Sequence, residues 1–206
     1  MIVELGHFVL RESCRQAKKW ADCGSAAGIS VNVSAIEFPR PDFLDTVKSA
    51  LKESGLEAVR LQLELTESVI LKNIEAGVQM IERLKEIGVK VSIDDFGTGY
   101  SSLSYLQKMP VHAVKIDRSF VADVDSNAAS VSMIRSVIAL ARAVGLAVVT
   151  EGVETTSQLE LLKQLGCDEV QGLLLGRPES AENALARVRN DRWAEVDSAP
   201  RELTAA

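Results

Sequence analysis

The chain has 206 residues, of which 47% are hydrophobic and 4% aromatic, and its formal net charge is −6 at pH 7. This length and apolar content suit one globular domain with a large core. The negative charge and the few aromatic side chains argue against a protein that binds DNA or other nucleic acids nonspecifically. No apolar run approaches the length of a membrane span, so we expect no membrane segment in this chain.

One unit recurs along the chain: a helix, a glycine and then an apolar strand. Helices are predicted near residues 2–22, 43–54, 72–87, 101–108, 129–144, 156–165 and 180–190. Strands are predicted near residues 29–33, 60–65, 89–94, 113–117, 146–150 and 168–171. Several strands are apolar at nearly every position, which is expected when both faces of a sheet are buried. The alternation of helices and buried strands predicts a parallel α/β fold over residues 1–192, followed by a polar tail at 193–206 that we expect to be disordered.

Polar or charged side chains stand where the predicted strands end. They are Asn32, Glu64, Asp94, Asp95, Lys115 and Glu151. If the strands are parallel, these side chains meet at one rim of one sheet. Carboxylate and carboxamide oxygens are the ligands that Mg²⁺ and Mn²⁺ prefer. The pattern therefore predicts a metal-dependent active site, or the remains of one.

Each of these residues also has an ordinary structural interpretation. Asp94 and Asp95 could form a turn ahead of Gly97. Glu151 could complement the dipole of the helix that follows it, Lys115 could be a surface lysine, and Asn32 could cap a strand. Five such coincidences at five successive strand ends are together improbable, so the functional interpretation is favoured.

The number of strands distinguishes two α/β architectures. An open doubly wound sheet binds its ligand at one switch point with one or two loops, whereas a (β/α) barrel gathers functional groups from most of its strand ends. The distribution of polar residues favours the barrel, but a closed barrel usually has about eight strands and only six are predicted. We therefore expect a TIM-like (β/α) barrel that is incomplete, with its first two strands missing.

The cysteines bear on location. Cys14, Cys23 and Cys167 are scattered, odd in number and without metal-ligand spacing. They are typical of reduced thiols in a core, and the N-terminus lacks the basic and apolar pattern of a signal peptide. The expected location is the cytoplasm.

The motifs of the chain resemble those of a known family. ISVNVS, LELTES, DDFGTGYSS, KIDRSF, EGVET and QGLLLGRP occur in the order found in the EAL domain, the bacterial cyclic-di-GMP phosphodiesterase. The resemblance runs from residue 2 to about residue 185. The Glu-Ala-Leu motif that names the family is absent, together with the initial strand and an arginine-bearing stretch. The missing part corresponds to the two strands by which the six predicted strands fall short of a closed barrel.

The resemblance implies roles for individual residues. Asn32, Glu64 and Asp94 would bind one Mg²⁺ or Mn²⁺ ion, and Asp94 would bridge to a second ion held by Asp95 and Glu151. Two such ions can activate a water molecule and stabilise charge on phosphoryl oxygens. Lys115 and Gln171 would act on the water, and Glu67 and Glu154 would support the ligands from behind. The implied reaction is the hydrolysis of cyclic-di-GMP to linear pGpG in bacterial second-messenger signalling.

The missing glutamate leaves three functional hypotheses. The chain is part of an active phosphodiesterase, or it is a catalytically impaired EAL protein that works as a cyclic-di-GMP receptor or protein-interaction module. A purely structural module would bind neither metal nor nucleotide. The resemblance also implies a homodimer and a sensory or cyclase partner domain.

Overall fold

The sheet of this protein consists of six parallel strands in the order of the chain. The structure, a computed structural model, describes residues 1–97 and 106–190. The strands are β1 (Ile29–Asn32), β2 (Leu61–Thr66), β3 (Lys90–Phe96), β4 (Ala113–Ile116), β5 (Ala147–Thr150) and β6 (Glu169–Val170). Each strand pairs with the next one along the chain, so the sheet curls as half of a barrel with β1 and β6 at its edges. The prediction of a six-stranded, incomplete TIM-like barrel is confirmed.

Helices connect the strands and cover one face of the sheet. They are α1 (Ile2–Asp22), α2 (Phe43–Ser54), α3 (Glu67–Leu71), α4 (Ile74–Glu86), α5 (Ala128–Ala143), α6 (Thr156–Leu165) and α7 (Ala181–Asn190). Short 3-10 turns precede β2 at Ala58–Arg60 and follow β4 at Arg118–Phe120. Residues 101–105 of the helix predicted at 101–108 lie outside the described residues. The predicted tail at 193–206 also lies outside them.

The two faces of the sheet differ in polarity, and this difference positions the site. On β2, Leu61, Leu63 and Leu65 are fully buried and belong to one core cluster with residues of the covering helices. Their neighbours on the strand point to the opposite face, because side chains alternate along a strand. Gln62 and Glu64 lie there, and the Gln62 amide donates a hydrogen bond to Ser92 on β3. The inner face of the half-barrel is therefore built partly of polar groups.

The segment after β2 differs from the expected pattern. The helix predicted near residues 72–87 is present as α4, which begins at Ile74, but the chain first forms α3, which the sequence does not predict. Asn73 separates the two helices and caps α4, because its side-chain oxygen accepts a hydrogen bond from the Ala76 N–H. Helix α3 starts directly at the end of β2, so it lies beside the rim where the polar groups meet.

Candidate metal-binding active site

Strand register places the predicted site residues side by side. Asn32 at the end of β1 pairs with Glu64 on β2, and Glu64 pairs with Ser92 on β3. Asp94 follows Ser92 by two residues, so it lies on the same face and one step closer to the carboxyl end of the sheet. Ser92 also pairs with Ala113, which places Lys115 on that face of β4. Parallel pairing therefore brings Asn32, Glu64, Asp94 and Lys115 together, and Glu151 joins them from just after the end of β5.

Lys115 is the centre of the site. Its Nζ atom lies 2.5 Å from Glu64 Oε2 and 2.5 Å from Glu151 Oε1, and 3.6 Å from Asp94 Oδ1. The Lys115 and Glu64 side chains are only 4% and 5% exposed, whereas Asp94 is 14% and Glu151 22% exposed. One buried ammonium thus binds carboxylates from three other strands or strand ends.

The electrostatic balance of this cluster is negative. Burial lowers the pKa of Lys115, but the hydrogen bonds to Glu151 and Glu64 outweigh it, so the ammonium pKa lies above its ordinary value. Burial raises the pKa of the Glu151 carboxyl above its ordinary value, and Lys115 offsets this only in part because the charges of Asp94 and Glu64 act in the same direction as burial. A single lysine therefore stays charged without neutralising its three carboxylates.

A bulge in β3 shapes the neighbouring pair of aspartates. The register between β3 and β4 shifts between Ile93 and Phe96, so Asp94 and Asp95 are accommodated by an irregularity in the strand. Asp95 has a φ angle of 55°, and among the described residues it is the one non-glycine residue with positive φ. Its N–H donates a 3.0 Å hydrogen bond to Asp94 Oδ1, which fixes the orientation of that carboxylate. Backbone strain of this kind is frequently found at functional sites.

Asp95 carries an unfavourable charge in this position. Its pKa is raised by burial and by the negative charges of Asp94 and Asp117, and Lys115 offsets this only in part. Asp117, two residues beyond Lys115, was not singled out from the sequence, although KIDRSF places a further acid at the end of β4. The hydrogen bonds from Ser119 lower the pKa of Asp117, so this carboxylate stays ionised close to the site.

The cluster fits a divalent cation. Glu64, Asp94 and Glu151 each offer a carboxylate oxygen, and these three atoms all lie within 4.8 Å of one another. The ligands are hard oxygen donors of the type that Mg²⁺ and Mn²⁺ prefer. The ammonium among them shows that this position already favours positive charge. The residues present therefore suit the metal that the sequence predicts.

The other predicted residues lie around this cluster at different depths. Asn32 is exposed at the edge strand, and Gln171 is exposed just after β6, where its backbone bonds to Thr150 and Val153. Glu67 is buried at the first position of α3 and has an interaction partner. Glu154 is exposed in the loop after β5. The roles that the family resemblance implies for these four side chains therefore stay predictions.

The sequence analysis missed a residue that holds the loop after Glu151 in place. The buried side chain of Gln158 accepts hydrogen bonds from the N–H groups of Glu154 and Thr155 and donates one to the Val121 carbonyl. Together with Thr155 it forms a capping box at the start of α6. The spacing Thr-x-x-Gln is the known signal for this motif, so the sequence could have revealed it.

Comparison with known proteins identifies the family. Residues 1–178 match the family described as "EAL domain", and the chain belongs to that family. It is 44% identical over 189 residues to the bifunctional diguanylate cyclase/cyclic di-GMP phosphodiesterase MucR of Pseudomonas aeruginosa, covering 91% of this chain and 28% of MucR. It is 37% identical over 193 residues to the cyclic di-GMP phosphodiesterase PdeR of Escherichia coli, covering 94% of this chain and 28% of PdeR.

Solved structures agree with this assignment. The MucR phosphodiesterase in complex with c-di-GMP superposes with a TM-score of 0.86 at 44% identity, covering 89% of this chain and 74% of that one. The EAL domain of Mycobacterium smegmatis DcpA superposes with a TM-score of 0.87 at 40% identity, covering 92% and 85%. The chain thus spans a little over a quarter of the length of MucR and PdeR, and most of the length of these two solved chains.

Proposed function

We propose that this protein hydrolyses cyclic-di-GMP to linear pGpG with two divalent metal ions bound at the carboxyl end of the half-barrel. The observation that carries the proposal is the cluster of Glu64, Asp94 and Glu151 around Lys115, because it offers hard oxygen ligands on adjacent strands. The relatives named as cyclic di-GMP phosphodiesterases support the choice of substrate.

The ligands would divide into two sets that share one residue. Asn32, Glu64 and Asp94 would hold one Mg²⁺ or Mn²⁺ ion, and Asp94, Asp95 and Glu151 would hold the other. Two ions in such a site supply Lewis acidity and make a water molecule a stronger nucleophile. Asp94 contacts both Lys115 and the N–H of Asp95, and this position supports its role as the shared ligand.

The remaining residues would act on the substrate or on the ligands. The Lys115 ammonium would donate hydrogen bonds to the attacking water or to a phosphoryl oxygen, with Gln171 opposite it. Glu67, which begins α3 at the end of β2, would steady the loop after Asp95, and Glu154 would support the Glu151 segment from the solvent side. Groups behind the ligands keep them in register, and their loss typically costs about 10- to 100-fold in metal affinity or activity.

A second function is favoured by the edge position of Asn32. Within the described residues its strand β1 has a partner on one side only, and the Asn32 side chain is exposed. The first ion would then have two carboxylates, from Glu64 and Asp94, and it would bind more weakly than the second ion. In that case the protein would retain ligand binding and act as a cyclic-di-GMP receptor or interaction module without turnover.

Location and partners follow from the same proposal. No helix in the described part of the chain is long and apolar enough to cross a membrane. The three cysteines are unpaired, which supports a cytoplasmic location because thiols stay reduced there. The greater length of MucR and PdeR supports a sensory or cyclase partner domain, and a homodimer is part of the proposal.

A turnover assay distinguishes the two functions. The purified chain is incubated with cyclic-di-GMP in Mn²⁺, in Mg²⁺ and with a chelator, and pGpG is quantified by chromatography. We expect metal-dependent pGpG formation that is lost in Asp94→Asn and kept in Glu82→Gln, which removes a carboxylate from the exposed face of α4. Calorimetric binding of cyclic-di-GMP without any pGpG would instead establish the receptor function, and the lack of both would refute the proposal.

A further inference from the structure

The Lys115 ammonium lies between carboxylates that the proposed function assigns to two different metal ions. Its Nζ atom is 2.5 Å from Glu64, a ligand of the first ion, and 2.5 Å from Glu151, a ligand of the second. Asp94, the shared ligand, is 3.6 Å away. All three contacts are made to the carboxylates that would be needed to bind metal.

A metal ion bound by these carboxylates would lie close to the Lys115 ammonium. Oxygen ligands bind Mg²⁺ at about 2.0–2.1 Å, so an ion near Glu64 and Asp94 would lie within a few ångströms of the present Nζ position. Two positive charges at that distance repel each other strongly in a buried site. The four-carbon stem of lysine is flexible and allows the ammonium to withdraw.

We propose that Lys115 is a counter-cation that partly offsets the negative charge of the carboxylate cluster and is displaced when metal ions bind, so that the ammonium and the metal compete for Glu64 and Glu151. The inference rests on the proposed metal-dependent function and adds that metal binding releases the Lys115 ammonium from its ion pairs. The ammonium is committed to ion pairs in the metal-free protein and becomes available to the substrate only after loading. Lys115 thereby links catalytic competence to metal occupancy.

The competition predicts an effect opposite to that of a residue that helps to bind metal. In Lys115→Met the carboxylates lose their counter-cation, so metal-free protein should be less stable and Mn²⁺ should bind about tenfold more tightly or better. Turnover should be lost, because the substrate then lacks its hydrogen-bond donor. A residue that supported metal binding would instead lose affinity and activity together.

The test is calorimetric titration of Mn²⁺ into metal-stripped protein, with thermal unfolding measured in chelator and in saturating Mn²⁺. Lys90→Met is the matched control, because it removes the same charge from the opposite end of β3. We expect tighter Mn²⁺ binding and a larger Mn²⁺-induced rise in Tm for Lys115→Met than for the wild type, and no change for Lys90→Met. Lys115→Gln, which is also neutral but keeps a polar end, should behave as Lys115→Met does.

The outcomes separate the inference from the proposed function. If the wild type binds Mn²⁺ and both Lys115 variants bind it equally well or more weakly, Lys115 does not compete with the metal. That result would overturn the inference but would still support the proposed metal site. If neither the wild type nor the variants bind Mn²⁺, the proposed metal-dependent function fails and the inference fails with it. Variants that do not fold even in Mn²⁺ would show that metal cannot replace the ammonium, which also overturns the inference.

Discussion

Asp94 connects the ion pairs of Lys115 to the neighbouring residue Asp95. Its carboxylate faces Lys115 and accepts the N–H of Asp95, and it lies within 4.8 Å of the ligand oxygens of Glu64 and Glu151. Asp95 does not belong to that cluster of three carboxylates. The two adjacent acids should therefore differ in their effect on metal binding.

We expect Asp94→Asn to weaken Mn²⁺ binding more than Asp95→Asn does. A shared ligand serves both ions, so its neutralisation should cost at least about tenfold more in affinity, or ~1.4 kcal/mol. Calorimetric titration of the two variants under the same conditions measures the difference. Equal losses would show that Asp94 is not shared between the ions.

Asp95 should reduce the stability of the metal-free protein. Burial and the charges of Asp94 and Asp117 raise its pKa above the ordinary value, so folding disfavours the ionised form. Asp95→Asn removes this cost, and asparagine tolerates the positive φ angle found here. We expect the variant to unfold with a free energy about 0.5–1 kcal/mol higher at pH 7, a size typical of one partly exposed charge contact.

The pH dependence of that gain has a definite sign. A carboxyl with a raised pKa in the folded state destabilises the protein at pH values above that pKa, and the effect disappears below the unfolded value. The gain from Asp95→Asn should therefore be complete at neutral pH and vanish near pH 3, as measured by denaturant unfolding in chelator. Glu82→Gln on the exposed side of α4 serves as the control, and a gain from Asp95→Asn that does not depend on pH would contradict the electrostatic cause.

At the scale of single elements, the end of β5 depends on a close backbone approach. Gly152 follows Glu151 and has a φ angle of 75°, and a Cβ atom there would lie 2.4 Å from Arg118 Cβ. Gly145 at the end of α5 has a similar φ angle of 77°, but no atom lies within 4 Å of its Cβ position. A comparison of alanine substitutions at the two glycines therefore distinguishes the cost of backbone strain, which both share, from the cost of a steric clash, which only Gly152 has.

Gly152→Ala should therefore destabilise the protein more than Gly145→Ala. Both changes carry the cost of a left-handed residue, roughly 1–2 kcal/mol, and the clash with Arg118 adds about 1–3 kcal/mol. Gly152→Ala should also weaken Mn²⁺ binding, because the adjacent Glu151 must move. Denaturant unfolding and calorimetry of both variants test this, and equal losses of stability would mean that Arg118 yields without cost.

The elements could be predicted from sequence where a repeated physical signal marks them. The helix, glycine and strand unit placed four of the six strands, β2, β3, β5 and β6, and strand-end acids such as Glu64 and Glu151 indicated the rim. The bulge at Asp94 and Asp95 carried no such signal, since it depends on the register between β3 and β4. Helix α3 was missed because five residues are too few for a helical period. The ion pairs of Lys115 depend on partners at positions 64 and 151, so they required the fold.

At the scale of the whole molecule, the sheet and its first helix leave apolar and hydrogen-bonding surface uncovered. Strands β1 and β6 each pair on one side only within the described sheet. Helix α1 buries Leu10, Cys14 and Ala17 on one face, while Ile2, Leu5, Phe8 and Val9 are 44%, 54%, 64% and 39% exposed on the other. Contiguous apolar side chains and open strand edges both promote association.

We therefore expect the chain, when purified by itself, to associate through α1. Phe8→Lys places a charge in the centre of the exposed apolar face, and it should shift the protein towards the monomer in sedimentation velocity at micromolar concentration. Val59→Lys is the matched control, because Val59 is 56% exposed but lies in the short turn before β2. If Phe8→Lys and Val59→Lys sediment as the wild type does, the strand edges rather than α1 carry the association. If the wild type stays monomeric at all concentrations, neither the apolar face of α1 nor the strand edges mediate association.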